Sequence, residues 1–158
     1  MIYKNGNAVS GKSVDYDDAG KMVAERQFEN EKVTLERSYY QNGKVREEST
    51  CNADRWMLKT YHDNGKLERE VPCVNGGSYY WSSRAYEGLE KSYDVDGKLW
   101  EEAEYRHGQR HGTTKRYTHG KPYANSTYKD GSLITETYYD EQGRLVSSTE
   151  YHRDGSKK

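Results

Sequence analysis

Glycine recurs at nearly constant intervals along this chain, and the interval limits the folds that it can adopt. The C-terminal turn glycines are separated by 11, 12, 11, 12 and 12 residues, at Gly97, Gly108, Gly120, Gly131, Gly143 and Gly155. The earlier ones are separated by 23, 22 and 23 residues, at Gly20, Gly43, Gly65 and Gly88. This spacing suits strands of seven or eight residues joined by short turns, and it leaves too little room for helices. We therefore predict an all-β fold, an elongated single-layer antiparallel meander of consecutive hairpins with about 12 to 13 strands.

One step breaks the period, the interval from Gly88 to Gly97. We interpret residues 1–158 as one repeat domain, with an N-terminal cap at residues 1–11. Residues 72–90 form a phase-breaking insertion, and residues 91–158 form regular repeats. Because the charged residues balance, with 25 Lys and Arg against 26 Asp and Glu, and are interspersed, the chain offers no basic face. We expect no nucleic-acid partner, and a membrane surface is disfavoured for the same reason.

Tyrosine replaces aliphatic residues as the main source of buriable area. The chain has 16 tyrosines and three tryptophans, but Leu, Ile, Val and Phe are scarce. Tyrosines recur at the ends of the predicted strands, at Tyr93, Tyr105, Tyr117, Tyr128, Tyr139 and Tyr151. We predict that their rings stack across neighbouring strands and hold a sheet that has no second layer. A two-layer sandwich, in which Tyr and Gly are merely common strand and turn residues, is the alternative.

Four segments resemble the variant MORN repeat, in the form found in YwqK-like antitoxin and immunity proteins: "YYQNGKVREE", "YHDNGKLERE", "YDVDGKLWEE" and "YYDEQGRLVSSTE". The resemblance implies an elongated sheet of hairpins. It also implies a protein that is encoded beside a toxin as its antidote, or one that acts as a protein-binding scaffold. The segment "PCVNGGSYYWSSRAYEGLE", residues 72–90, departs from the motif.

No combination of residues in the sequence points to catalysis, a cofactor or a metal. His107 and His119 lie at opposite ends of one predicted strand, and His107 and His111 are about 13 Å apart on an extended strand, so neither pair can share a zinc ion. "DYDDAG" and "DVDG" lack the ligand set of a calcium loop. We expect a protein that is not an enzyme, with no cofactor and no metal.

Cys51 and Cys73 occupy equivalent positions two strands apart. A regular meander places their α-carbons about 9–10 Å apart, beyond the reach of a disulfide. We expect free thiols, although bending of the irregular segments around them would permit a bridge. The start of the chain lacks an apolar leader, so we expect a cytoplasmic protein; removal of a leader would make it periplasmic.

The heaviest aromatic residues concentrate near the break in the repeat. They are Trp56, Tyr79, Tyr80, Trp81, Tyr86 and Trp100. Tyr and Trp are typical anchors of protein interfaces, so we interpret these six as a partner-binding surface. A local plug that covers the sheet is the alternative.

The function predicted from these observations is that of a non-enzymatic bacterial immunity or antitoxin protein. It would neutralise a cognate toxin or effector by direct contact. The expectation that the partner is a toxin comes from the resemblance alone. The alternative is a MORN-like scaffold that binds a membrane phospholipid or another protein. The oligomeric state is left open.

Overall fold

The computed structural model describes residues 2–4, 7–52, 55–75 and 84–158. Within these ranges the secondary structure consists of strands, so the predicted all-β fold is confirmed. The strands are β1 (Ile2–Lys4), β2 (Asn7–Tyr16), β3 (Met22–Glu29), β4 (Lys32–Tyr39), β5 (Val45–Asn52), β6 (Arg55–Tyr61), β7 (Leu67–Asn75), β8 (Arg84–Tyr86), β9 (Gly88–Tyr93), β10 (Leu99–Arg106), β11 (Gln109–Thr118), β12 (Lys121–Lys129), β13 (Ser132–Tyr139) and β14 (Leu145–Glu150).

All 14 strands belong to one open antiparallel sheet, in a single layer. Thirteen of them follow one another in chain order across the sheet, and β8 pairs with β7 outside that order. This is the predicted meander, and it differs from the two-layer sandwich that was the alternative. None of the described residues forms a helix that could cross a membrane.

The turns lie at the two opposite ends of the strands, and the two borders of the sheet that they form are here called edge A and edge B. Edge A contains the turns with Gly20, Gly43, Gly65, Gly97, Gly120 and Gly143. Edge B carries two-residue turns such as His107-Gly108, in which both residues have positive φ, 51° and 78°. Such turns match the twist of the strands that they join, and a residue without a Cβ adopts the second position at no steric cost.

The break in the repeat coincides with a bend beside Pro72. Gly88 is the first residue of β9 and has a φ of 115°, so it is a bend within the sheet and not one of the turn glycines. β7 pairs with β8 near Cys73 and with β9 near Glu70. A Cβ on Gly88 would lie 3.3 Å from the Pro72 ring, so the bend needs glycine where the chain passes that ring.

One face of the sheet, here called the charged face, carries a row of alternating charge. Residues that lie directly opposite each other on neighbouring strands share a face. The row that this pairing generates runs through Glu25, Arg37, Glu48, Lys59, Glu70, Lys91, Glu102 and Lys115. Arg37 illustrates the contacts, with ion pairs of 3.0 Å to Glu25 and 2.6 Å to Glu48. Basic residues are therefore cross-strand partners of acidic ones, as expected from the interspersed charge.

The other face, here called the core face, holds the hydrophobic cluster. Leu58 lies opposite Val71, Trp56 lies opposite Cys73, and all four side chains are buried. Small polar residues continue the buried rows on neighbouring strands, among them Ser49, Thr114 and Ser126. The cluster lies at the middle of the sheet, next to the bend at Gly88.

The tyrosines of the described strands do not form the predicted ladder of stacked rings. Tyr93 and Tyr117 lie at edge A, whereas Tyr105 and Tyr128 lie at edge B. Successive tyrosines therefore sit at opposite ends of the sheet, and those at one edge are two strands, about 9.5 Å, apart. That separation is too wide for stacking, so the prediction of ring ladders was wrong.

The tyrosine hydroxyl groups form hydrogen bonds to neighbouring strands instead. Tyr93 Oη donates to Glu70 at 3.1 Å, Tyr117 Oη donates to Glu102 at 2.5 Å, and Tyr40 Oη donates to the Tyr61 carbonyl at 2.6 Å. Burial and the bond to Glu102 together raise the pKa of Tyr117 to about 12. The tyrosines thus link strands through hydrogen bonds to charged and backbone oxygens.

Candidate functional site

A cleft of about 660 Å³ opens beside the bend at Gly88, at the middle of the sheet. We call it the central cleft. Its lining includes Arg69, Glu90, Ser92, Glu101, Tyr105 and Arg110, together with the exposed side chains of Val95 and Trp100. Its volume falls within the range of about 300–1,000 Å³ that is usual for ligand sites.

Strand register brings the charged lining residues to the core face. Arg69 on β7 lies opposite Ser92 on β9, Ser92 lies opposite Glu101 on β10, and Glu101 lies opposite Arg116 on β11. These residues come from four strands that neighbour one another in the sheet, so they are held by backbone hydrogen bonds and not by a loop. The site is therefore positioned by a rigid part of the structure.

Arg110 is the most highly connected side chain of the cleft. Its guanidinium donates to Glu101 Oε1 at 2.5 Å and to the Tyr105 hydroxyl at 3.3 Å. It also lies over the rings of Tyr105 and Tyr128, 5.9 Å and 5.6 Å from their centroids. Burial lowers the pKa of Arg110, but the hydrogen bonds to Glu101 and Tyr105 and the charge of Glu101 together outweigh that effect, so the pKa lies above its ordinary value. Arg110 is thus a permanent, fixed cation at the edge B end of the cleft.

Glu101 is buried and forms ion pairs with two arginines. Arg110 contacts its Oε1, and Arg116 Nε lies 3.5 Å from its Oε2. Arg116 continues the network to Glu136 at 3.6 Å. Burial lowers the pKa of Arg116, and the charges of Glu101 and Glu136 more than offset this, leaving it raised. This network leaves the cleft residue Glu101 paired through both of its carboxylate oxygens.

Glu90 is different, because it is buried without a cation. Its side chain is 6% exposed and accepts one hydrogen bond through Oε1, from Ser92 Oγ at 3.2 Å. Its other oxygen, Oε2, has no hydrogen-bond donor. The nearby Arg69 guanidinium lies over the Tyr86 ring, 5.5 Å from the centroid. The pKa of Tyr86 is raised, chiefly by burial, with Glu90 adding to the effect and Arg69 opposing it.

The six predicted partner-binding residues are only partly brought together. Trp56 is buried in the hydrophobic cluster, and the half-buried Tyr86 packs against that cluster. Tyr86 also contacts the cleft residue Tyr105, with the rings at 82° and their centroids 5.4 Å apart. Trp100 is 44% exposed and borders the cleft. The other three, Tyr79, Tyr80 and Trp81, lie outside the described residues.

Trp100 borders the cleft because of a local irregularity. The pairing of β10 with β9 shifts between Leu99 and Glu101, so Trp100 has no directly opposite partner on β9. A bulge of this kind redirects a side chain relative to its neighbours. The sequence identified Trp100 by residue type, whereas its place at the rim depends on the shift.

The charged residues of the cleft, Glu90, Glu101 and Arg110, were not singled out in the sequence. No regular spacing of Glu and Arg marks them, because Glu101 is 9 residues from Arg110 and 15 residues from Arg116.

Two observations bear on possible chemistry. Cys51 and Cys73 are free, as expected. No group of three or more potential metal ligands occurs within the described ranges.

Turns along edge A are clamped to one another by the side chains of the repeated Asn-Gly-Lys segment. Asn42 Nδ2 donates to the Asp63 carbonyl at 2.9 Å, and Lys44 Nζ donates to the Asn64 carbonyl at 2.8 Å. The next turn repeats the arrangement, with Asn64 donating to the Val95 carbonyl at 2.8 Å. The motif is therefore a device that joins one repeat to the next.

Comparison with known protein families also detects repeated segments in this chain. Residues 32–50, 58–75 and 86–107 match the family model described as MORN repeat variant. Three segments of this chain are therefore similar to the variant MORN repeat. The matched segments include the clamping residues Asn42, Lys44 and Asn64, so the MORN-variant motif here has a structural role. The comparison with curated proteins gives no match.

Among solved structures, the chain is similar to two crystal structures of TarM. One of them is an S. aureus TarM mutant in complex with Fondaparinux, alpha-GlcNAc-glycerol and UDP. The identities are 10% and 11%, and the TM-scores are 0.35 and 0.36. Each match covers 72% of this chain but only 19% of the TarM chain, so this chain spans about a fifth of the TarM structures.

Proposed function

We propose that this MORN-variant protein is a non-enzymatic scaffold that binds one partner protein through the central cleft and its rim. We propose further that the partner is a cognate toxin or effector, which the scaffold neutralises by direct contact. The first part is supported by the geometry of the cleft. The second is supported by the resemblance of the four tyrosine-glycine units to antitoxin and immunity proteins.

The observation that carries the proposal is the position of Trp100. A tryptophan that is 44% exposed stands at the rim of a charged cleft, with the 60% exposed Val95 on the same lining. Tryptophan anchors beside pockets dominate the binding free energy of many protein interfaces. Fixed charges such as Arg110 and Glu101 would then orient the partner.

The test is co-expression with the product of the neighbouring gene, followed by measurement of affinity for the purified product. Trp100→Ala is expected to weaken binding at least tenfold, since truncating an anchor residue costs about 2 kcal/mol or more. Leu145→Ala is the matched control, because Leu145 is 64% exposed but lies on the last strand. Equal affinities for the two variants would refute the proposed surface.

The toxin part has a separate readout. The neighbouring product should arrest growth when expressed alone, and co-expression of this chain should restore growth. The alternative, a scaffold for a membrane phospholipid, predicts instead that the protein sediments with anionic liposomes. Sedimentation with no binding to the neighbouring product would overturn the proposal in favour of that alternative.

A further inference from the structure

The buried glutamates of this sheet follow a simple rule. Among the described residues, four glutamate side chains are buried: Glu25, Glu36, Glu90 and Glu101. Three of them lie directly opposite an arginine on the next strand, as Glu25 opposite Arg37, Glu36 opposite Arg26 and Glu101 opposite Arg116. Each of these pairs is also an ion pair, with nitrogen to oxygen distances of 3.0, 3.2 and 3.5 Å.

Glu90 is the exception to the rule. The residue opposite it on β10 is Ala103, which is buried and has no polar side chain. Its strand neighbour Ser92 supplies one hydrogen bond, and Oε2 receives none. A buried carboxylate without a cation or a second donor is costly, which is why such groups are normally paired. The fold thus buries the Glu90 carboxylate without a basic partner among the described residues.

No described cation takes that place. Arg110, on the other side of the cleft, is committed to Glu101 and to the rings of Tyr105 and Tyr128. Arg69 lies over the ring of Tyr86, and no hydrogen bond or ion pair joins it to Glu90. Because Glu90 lines the central cleft, a group that enters the cleft from outside can reach it after a rotation of the carboxylate, whose terminal torsion is soft.

We propose that the central cleft receives an arginine or lysine side chain of the partner protein, which pairs with Glu90. The inference rests on the proposed function, and it adds the chemistry of the contact: the partner presents a basic side chain next to an apolar surface. The basic group would complete the pattern seen at the other three glutamates, while the apolar surface would cover Trp100. A guanidinium fits best, because it can donate to both carboxylate oxygens at once.

The first test compares two buried glutamates in the protein without its partner. Glu36→Gln removes a paired charge and is expected to lower the urea midpoint of unfolding. Glu90→Gln removes an unpaired charge and is expected to leave the midpoint unchanged or to raise it. If Glu90→Gln lowers the midpoint as much as Glu36→Gln does, Glu90 is paired within the protein and the proposal is overturned.

The second test is an NMR titration of the full chain with N-acetyl-arginine amide. The expected result is a saturable shift of the amide signals around Glu90 and Ser92. The citrulline analogue, which has the same shape without the charge, should bind at least tenfold more weakly. Glu90→Gln should weaken the binding of the arginine compound by a similar factor, and Glu36→Gln should leave it unchanged.

The outcomes separate this inference from the proposed function. Two results would refute the proposal that the cleft receives a basic side chain, even if a partner protein binds. They are the absence of any shift up to the solubility limit of the arginine compound, and an equal shift with the citrulline analogue. Failure to bind the neighbouring product overturns the proposed function, while the titration still reports on the cleft. A shift that persists in Glu90→Gln contradicts the role of Glu90.

Discussion

Val71 offers a direct test of whether this single-layer sheet has a core that contributes to its stability. Its side chain is 0% exposed and lies among Trp56, Leu58 and Cys73. Val71→Ala removes two methyl groups, which forfeits about 1.6 kcal/mol of transfer free energy. The cavity that remains brings the expected loss in the free energy of unfolding to about 2–3 kcal/mol.

The chain contains a matched control in Val146, which is 65% exposed on β14. Val146→Ala removes the same atoms and the same strand propensity, but it opens no cavity. We expect it to cost about 0.5 kcal/mol, mainly through the lower β-propensity of alanine. The difference between the two variants therefore isolates the contribution of burial.

Urea unfolding followed by circular dichroism measures both losses, and the melting temperature of Val71→Ala should fall by about 4–12 °C for a chain of this size. Because each strand contacts only its neighbours, unfolding of a repeat sheet can be less than fully cooperative. Hydrogen exchange of the amides in β6 and β7 gives a local measure that does not depend on cooperativity. Equal losses for the two valines would show that the cluster is not a core, and the reasoning would be wrong.

Two further predictions concern the regular repeats. Gly112→Ala should lower the free energy of unfolding, measured by urea unfolding, by about 1.5–3 kcal/mol. The glycine has a φ of 87°, which costs alanine about 1–2 kcal/mol, and a Cβ would displace the Glu104 carboxylate that accepts a hydrogen bond from the Thr113 N–H at 3.1 Å. In a Glu104→Ala background the loss should shrink to about 1–2 kcal/mol, and an unchanged loss would contradict the displacement of Glu104. Tyr117→Phe should destabilise the protein at neutral pH but not at strongly alkaline pH. The pKa of Tyr117 is about 12 in the folded protein, above the ordinary value of 10.0, so the tyrosine contributes stability below pH 10. That contribution is lost as the pH rises through 12. We expect a difference of about 1 kcal/mol between wild type and Tyr117→Phe at pH 9, after allowance for solvent screening, and a difference that does not depend on pH would exclude the hydrogen bond to Glu102 as its source.

The candidate site was predictable only in part. Residue type was enough to single out Trp100 and Tyr86, because large aromatic residues stand out in a chain with few aliphatic ones. Nothing in the local sequence distinguishes Glu90 from Glu101, since both are glutamates on strands near the middle of the chain. The difference between them is the residue opposite, Ala103 in one case and Arg116 in the other.

The repeat of glycines by itself determined the fold class, the strand length and the order of the strands, because turn conformation and strand propensity are local properties. The tertiary structure decided which side chains meet. Register across the sheet depends on bulges such as the one at Trp100 and on the bend at Gly88, and a shift of one residue moves a side chain to the other face. For the same reason Tyr93 and Tyr117, although regularly spaced, bond to carboxylates on the adjacent strand and do not stack on each other. Pairing across strands is a long-range property, and it is what leaves Glu90 without a cation in the central cleft.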